Sequence, residues 1–179
     1  MSWRDLTFRT VRAAACGALI LASGGCFRPL YGAGPSGSSV RDALASIEVE
    51  KAASPIGQER LGYYVRSELA FNLDGSGEPS AKRYKLRLDT AESIQPTSID
   101  TVTGRADTAT LNGTVKYSLL TRDGDSVVTS GTARATATYN RDQQRFASVR
   151  AARDADIRIA RVIADDIKQR LAAHFARAP

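Results

Sequence analysis

The sequence predicts an α+β two-layer sandwich, in which a four-stranded, mostly antiparallel sheet carries two helices on one face. Three consecutive segments between residues 82 and 140 alternate apolar and polar side chains, which is typical of strands buried on one face only. Two other segments, residues 58–73 and 145–176, repeat apolar side chains every three to four residues, as amphipathic helices do. With one short strand before the first helix, the predicted order is β-α-β-β-β-α.

The first 25 residues have the features of a secretory signal peptide. Arg4, Arg9 and Arg12 precede an apolar stretch at residues 13–22, and small residues follow up to Gly25. This stretch of about ten residues is too short to span a bilayer, which takes roughly 20 residues as a helix. We therefore expect residues 1–25 to direct export and to be removed.

Cys26 follows the leader directly and is the one cysteine expected in the mature chain, because Cys16 lies inside the leader. An odd cysteine in an exported chain needs an explanation. A disulfide has no second cysteine, and a metal site lacks ligands, since the single histidine is the distant His174. Lipidation of Cys26 explains both its isolation and its position. Because Ser23 stands where lipoprotein signals usually have Leu, ordinary signal cleavage and an unprocessed leader stay open as alternatives.

A flexible tether is predicted after Cys26, because Gly32 to Asp42 is rich in Gly, Ser and Pro. We expect the lipidated tether to cover residues 26–43 and a single domain to cover residues 44–179. The domain begins with a short strand centred on Ile47 and Val49.

The first long helix is predicted over residues 58–73. Leu61, Val65 and Leu69 recur every four residues and form one apolar stripe. The Gly- and Pro-containing segment at residues 74–80 then ends the helix.

Three strands are predicted next, at residues 82–94, 107–121 and 130–140. A turn at residues 122–125, with the sequence RDGD, joins the last two as a hairpin. The side chains expected to face the core are Tyr84, Leu86, Leu88, Leu111, Val115, Tyr117, Leu119, Ala133, Ala135, Ala137 and Tyr139. Threonines and basic residues alternate with them, as expected for a solvated face.

The last helix is predicted from about Arg145 to Ala176. Its apolar stripe consists of Ile159, Ile163, Ile167 and Leu171. Four aspartates on this helix are interpreted as solvated charges rather than as acid–base pairs, because basic residues lie among them: Asp154, Asp156, Asp165 and Asp166.

Charge and motifs exclude several function classes. The formal net charge is +6, but three of the arginines lie in the leader and the other positive charges are scattered, so nucleic-acid binding is not expected. The sequence contains no G-x-S-x-G, H-E-x-x-H or Walker motif, and the predicted mature domain has no Cys/His pair. We therefore expect no enzymatic activity, no catalytic residues, no metal and no cofactor.

Two segments carry a family resemblance. The sequence CFRPLYG, residues 26–32, resembles the start of the mature lipopolysaccharide-assembly lipoprotein LptE in its alphaproteobacterial form. TYNRDQQRFASVRAARDAD, residues 138–156, resembles the strand-to-helix passage of the same family. The order of elements agrees along residues 26–179.

This resemblance implies a non-enzymatic role at the periplasmic side of the outer membrane. Members of the family plug the lumen of the large β-barrel LptD, help it to assemble and bind lipopolysaccharide on its way to the cell surface. Arg105, Arg145 and Arg150 lie in the regions that correspond to the family's lipopolysaccharide contacts. They are the binding residues that the resemblance suggests, although an ordinary surface role is also open for each.

Two other functions are left open by the sequence. An accessory lipoprotein of another intermembrane lipid-transport complex would have a similar leader and fold. A periplasmic hydrolase is the less favoured alternative, since no catalytic motif supports it.

Overall fold

The computed structural model describes residues 40–75, 81–99, 106–141 and 144–177. Its elements follow in the order α1 (Val40–Ala45), β1 (Ile47–Val49), α2 (Glu59–Asp74), β2 (Tyr84–Ile99), β3 (Ala106–Thr121), β4 (Val127–Asn140) and α3 (Arg145–Arg177). The predicted α+β class is confirmed. The short helix α1 is an addition that the sequence analysis did not anticipate.

The sheet has the order β1-β2-β3-β4. β1 pairs with β2 in parallel, Ile47 opposite Tyr84, and α2 forms the crossover between these two strands. The pairs β2–β3 and β3–β4 are antiparallel. Gly124 has a φ of 80° in the tight turn between β3 and β4, a conformation that favours glycine, so the predicted hairpin is confirmed.

The β2–β3 hairpin is longer than the hydrophobic alternation predicted. β2 continues past Ile94 to Ile99, through Pro96. On the β1 side of β2, the amide of Thr90 donates to the Ala53 carbonyl and that of Glu92 to the Gln58 side chain. The backbone nitrogen of residue 96 points in the same direction as these two amides. No described strand lies beside β2 at this position. A proline without an amide hydrogen is therefore tolerated at this edge.

The two long helices lie side by side and run in the same direction. Polar contacts join them, and three of these follow one another along the helices: Arg153 Nε to Tyr64 Oη (2.8 Å), Arg161 Nε to Glu68 Oε1 (3.4 Å) and Asn72 Nδ2 to Asp165 Oδ1 (3.5 Å). The residue numbers of α2 and α3 increase together along this series, which is the signature of parallel helices.

The core lies between the helices and one face of the sheet. The predicted stripes of both helices are buried, including Leu61, Val65 and Leu69 of α2 and Ile159, Ile163, Ile167 and Leu171 of α3. The helices pack closely on the sheet over Gly113. A Cβ atom there would lie 2.6 Å from Ile159 Cγ2 and 3.1 Å from Leu61 Cδ2, so a larger residue would force the layers apart.

Helix α1 corrects the end of the predicted tether, because Val40 to Ala43 are helical. Leu44 is buried in the core and Val40 packs against it. The helix ends at Ala45, and the hydroxyl of the following Ser46 donates to the Ala43 carbonyl at 2.7 Å. A helix of six residues is not stable alone, so this one depends on its tertiary contacts.

Candidate functional site

The face of the sheet opposite the helices is an open polar surface. Strand alternation points every second side chain away from the core. The outward set on β2, β3 and β4 consists of Lys85, Arg87, Asp89, Ala91, Ser93, Gln95, Thr97, Thr108, Thr110, Asn112, Thr114, Lys116, Ser118, Thr132, Arg134, Thr136 and Thr138. We call this set the open face.

Threonine hydroxyls on the open face form hydrogen bonds across three strands. Thr97 Oγ1 lies 2.7 Å from Thr110 Oγ1, and Thr110 Oγ1 lies 3.4 Å from Thr138 Oγ1. The threonine side chains are short and β-branched, so they have little rotamer freedom and keep their hydroxyl groups in place. The open face can therefore meet a polar surface without large side-chain rearrangement.

The open face carries charges of both signs. Arg87 Nε lies 3.4 Å from Glu50 Oε2, and Asp89 stands opposite Lys116 in the β2–β3 ladder. Arg134 is exposed on β4 and takes part in no ion pair within the described residues. The open face therefore offers charges of both signs, with basic side chains in the majority.

Two of the residues proposed as sites from the sequence, Cys26 and Arg105, lie outside the described residues. Arg145 and Arg150 are both exposed on the first two turns of α3. Five positions on a helix correspond to a rotation of about 140° between side chains. The structure thus places Arg145 and Arg150 at one end of the molecule but not on one face of the helix.

This end of the molecule also exposes large apolar side chains. Phe146 is 87% exposed and Val149 is 53% exposed on α3. The Arg141 amide donates to the Asp107 carbonyl at 2.7 Å, which ties the approach to α3 to the start of β3. Guanidinium groups beside exposed apolar side chains suit an amphiphile with phosphate groups and acyl chains.

A buried ionic cluster was missed by the sequence analysis. Asp156, interpreted as a solvated charge, is only 1% exposed. Its Oδ2 lies 3.4 Å from Arg60 Nε of α2 and makes no hydrogen bond within the described residues. Asp156 is three positions before Ile159 and seven before Ile163, so the spacing of the apolar stripe itself was the signal for its burial.

Burial raises the pKa of Asp156, and the nearby Arg60 guanidinium opposes this effect only in part. Burial also raises the pKa of Glu92 on β2; the negative charge of Asp156 adds to the rise and Arg60 opposes it. At pH values between the ordinary and the raised pKa, the folded chain therefore holds protons on these carboxyl groups that the unfolded chain has released. Their contribution to stability is complete at pH values below their ordinary pKa and is lost as the pH rises through the raised pKa.

Replacing Asp156 by asparagine tests this cluster. We expect Asp156→Asn to raise the Tm at neutral pH and to reduce the loss of stability with rising pH, because the amide needs no charge in the interior. A gain of about 1 kcal/mol would raise the Tm by roughly 2–4 °C. Thermal unfolding between about pH 4 and pH 8 measures both effects. Asp154→Asn, at an exposed carboxylate on the same helix, is the control, and equal pH profiles for the two variants would contradict the assignment.

Within the described ranges, no helix is long and apolar enough to cross a membrane. The same residues contain no group of three or more His, Cys, Asp or Glu side chains that could hold a metal ion.

Comparison with solved structures identifies similar folds. A crystal structure of a candidate lipoprotein from Caulobacter crescentus CB15 has a TM-score of 0.60 and 27% identity, covering 78% of this chain and 97% of that one. A minor lipoprotein from Acinetobacter baumannii has a TM-score of 0.50 and 15% identity, covering 73% of this chain and 93% of its own, which indicates a shared fold. No curated protein matches the sequence.

The match to a family model covers most of the domain. The model of the LptE family, described as lipopolysaccharide-assembly, matches residues 44–171. This range runs from the buried Leu44 of α1 to the buried Leu171 near the end of α3 and includes all four strands. The chain therefore belongs to the LptE family of lipopolysaccharide-assembly proteins.

Proposed function

We propose that this protein is a lipoprotein of the outer membrane, anchored on the periplasmic side by acylation of Cys26. In the proposal it is a non-enzymatic subunit of the machinery that transports and assembles lipopolysaccharide. Its domain plugs an LptD-type β-barrel, helps the barrel to assemble and binds lipopolysaccharide for delivery to the cell surface. The observation that carries the proposal is the family match over residues 44–171. The likeness to a candidate lipoprotein from Caulobacter crescentus supports the anchor.

The open face supports the plug. Large transmembrane barrels have polar interiors, because lipid-facing and lumen-facing residues alternate along their strands. A flat surface with threonine hydroxyls and charges of both signs offers hydrogen-bond donors and acceptors to such a wall. The two helices cover the other face of the sheet, so the open face is available without unfolding.

The start of α3 supports the lipid role. Arg145 and Arg150 offer guanidinium groups to phosphates, and Phe146 and Val149 offer apolar surface between them. Arg105 directly precedes β3 in the sequence, and β3 begins at the same end of the sheet. We propose Arg105, Arg145 and Arg150 as contacts for lipid A phosphates.

Partner binding is tested by purification of the full chain from detergent-solubilised outer membranes through a tag on its C-terminus. We expect a β-barrel protein of the LptD type to co-purify in stoichiometric amount. A triple variant of the open face, with Thr110, Thr114 and Thr136 each replaced by lysine, is expected to lose the barrel while keeping its circular dichroism spectrum. Recovery of a different lipid-transport complex with the parent would overturn the assignment.

Charge reversal tests the lipid contacts. We expect replacement of Arg105, Arg145 and Arg150 together by glutamate to weaken lipopolysaccharide binding at least tenfold, or about 1.4 kcal/mol. Charge-assisted hydrogen bonds contribute roughly 1.5–3 kcal/mol each, and exposed pairs contribute less. Titration of the purified chain with lipopolysaccharide measures the change.

The control for charge is a second triple reversal at the opposite end of the domain, at the exposed residues Arg83, Arg122 and Arg177. It changes the net charge by the same amount, so a general electrostatic effect would weaken both variants equally. Equal affinity of both variants and the parent would contradict the three assigned contacts. If the parent protein does not bind lipopolysaccharide, the proposed lipid role is wrong and only the proposed role as a barrel plug is left.

A further inference from the structure

The outer edge of β4, which does not pair with β3, is contacted by two arginines of α3. The Arg141 amide, which follows β4, points to β3 and donates to the Asp107 carbonyl. Backbone groups alternate in direction along a strand, so those of the even-numbered residues of β4 point away from β3. No described strand lies beyond β4.

Arg158 and Arg170 reach around this edge from the helix side. Arg158 Nη2 donates to the Thr138 carbonyl at 3.1 Å, and Arg170 Nη1 donates to the Thr132 carbonyl at 3.3 Å. Asp154 and Asp166 hold the two guanidinium groups at 2.8 Å, each four positions earlier on α3. Twelve helical positions cover about 18 Å and six strand positions about 20 Å, so helix and strand match in length between the two contacts.

Between the two arginine contacts, β4 keeps a short stretch of open edge. The edge-facing amide and carbonyl groups of Arg134 and Thr136 have no partner within the described residues. Val162 is 56% exposed and lies between Arg158 and Arg170 on the flank of α3 that borders β4. An incoming strand would find backbone partners at two positions and an apolar contact beside them.

A second copy of this chain does not suit the edge. Antiparallel pairing of two β4 strands around Ala135 would set Arg158 of one copy beside Arg170 of the other, at both ends of the contact. Like charges at these positions disfavour edge-to-edge pairing, which is how natural sheets protect their outer strands. A segment with acidic side chains at both ends instead offers acceptors to the guanidinium groups, each of which uses Nε for its aspartate and one Nη for a β4 carbonyl and so has further N–H donors.

We propose that the β4 edge between Thr132 and Thr138 is a docking site for an extended segment of a partner protein, with an apolar residue opposite Ala135 and acidic residues on either side. The segment adds a fifth strand to the sheet through the Arg134 and Thr136 backbone groups. Its apolar side chain contacts Val162, and its acidic side chains meet Arg158 and Arg170. The proposed site includes none of the lipid contacts, and it uses the outward-pointing backbone groups of β4, whereas the plug uses the side chains of the open face.

The probe is an acetylated, amidated heptapeptide with the sequence Thr-Glu-Thr-Val-Thr-Glu-Thr. It is titrated into the purified full-length chain while amide hydrogen exchange is followed residue by residue. We expect saturable binding and at least tenfold slower exchange of the Arg134 and Thr136 amides. A peptide with lysine in place of both glutamates is expected to bind at least tenfold more weakly.

Thr136→Pro is the decisive variant, because it removes one edge amide and no hydrogen bond to β3. We expect it to weaken peptide binding at least tenfold, while Thr136→Val binds like the parent; circular dichroism confirms that both variants fold. Equal binding by Thr136→Pro and Thr136→Val, or no protection of the two amides in the parent at millimolar peptide, overturns the proposal. Protection that grows with protein concentration in the absence of peptide also overturns it, in favour of a second copy.

Discussion

Ile163→Asp is expected to unfold most of the protein at temperatures where the parent is stable. Ile163 is fully buried in the middle of the α3 stripe. Its side chain would lie 3.4 Å from a Cβ atom at Gly113, where the helices pack closely on the sheet. The substitution removes an apolar side chain from a packed interior and places a carboxylate there without a partner. We expect a loss of roughly 4–5 kcal/mol or more, which is a large part of the stability of an ordinary domain.

The matched control is Val162→Asp, the same kind of change at the neighbouring residue. Val162 is 56% exposed, so its carboxylate stays in water and we expect a change within about 0.5 kcal/mol. Thermal and urea unfolding of both variants measure the difference. Equal stability of the two variants would mean that α3 does not pack through the Ile163 side.

Cys26→Ser is expected to release the protein from the membrane almost completely. In the proposed function, acyl chains on Cys26 supply the anchor, and each buried CH₂ group contributes about 0.8 kcal/mol. The described domain contributes no membrane-spanning helix. Because Cys26 precedes the described domain in the sequence, we expect the Tm to be unchanged. Partition between washed membranes and the soluble fraction measures the effect.

Cys16→Ser is the control, since it changes a cysteine of the predicted leader and is expected to leave the anchor intact. The partition is measured in cells depleted of the LptD-type barrel, because binding to the barrel would otherwise hold the variant at the membrane. If Cys26→Ser stays in the membranes of depleted cells, the assignment of Cys26 as the lipidation site is wrong.

Local sequence patterns correctly predicted the fold class and the inward face of each long element. Leu61, Val65 and Leu69 of α2 and Ile163 and Ile167 of α3 were predicted in the core and are buried there. Periodicity is a local property, and a stripe or an alternation indicates which side of an element leaves water. The family resemblance was also a property of short segments and is confirmed by the match to residues 44–171.

Other features depend on contacts between segments that are distant in the sequence. They could not be predicted from local patterns and became visible only in the tertiary structure. Helix α1 has no strong periodicity of its own and is stabilised through Leu44 in the core. Asp156 resembled its exposed neighbours in sequence, but its place on the buried side of α3 removes it from water.

The candidate surfaces were the part of the molecule least accessible to sequence reasoning. Arg145 and Arg150 are close in sequence, yet the helical rotation separates their side chains. Arg158 and Arg170 had no distinguishing pattern among many arginines, and their role at the β4 edge follows from carbonyl groups that are 20 and 38 positions away in the chain. Sequence patterns indicate what an element buries, whereas the exposed partners of a side chain depend on which strands and helices the fold places next to it.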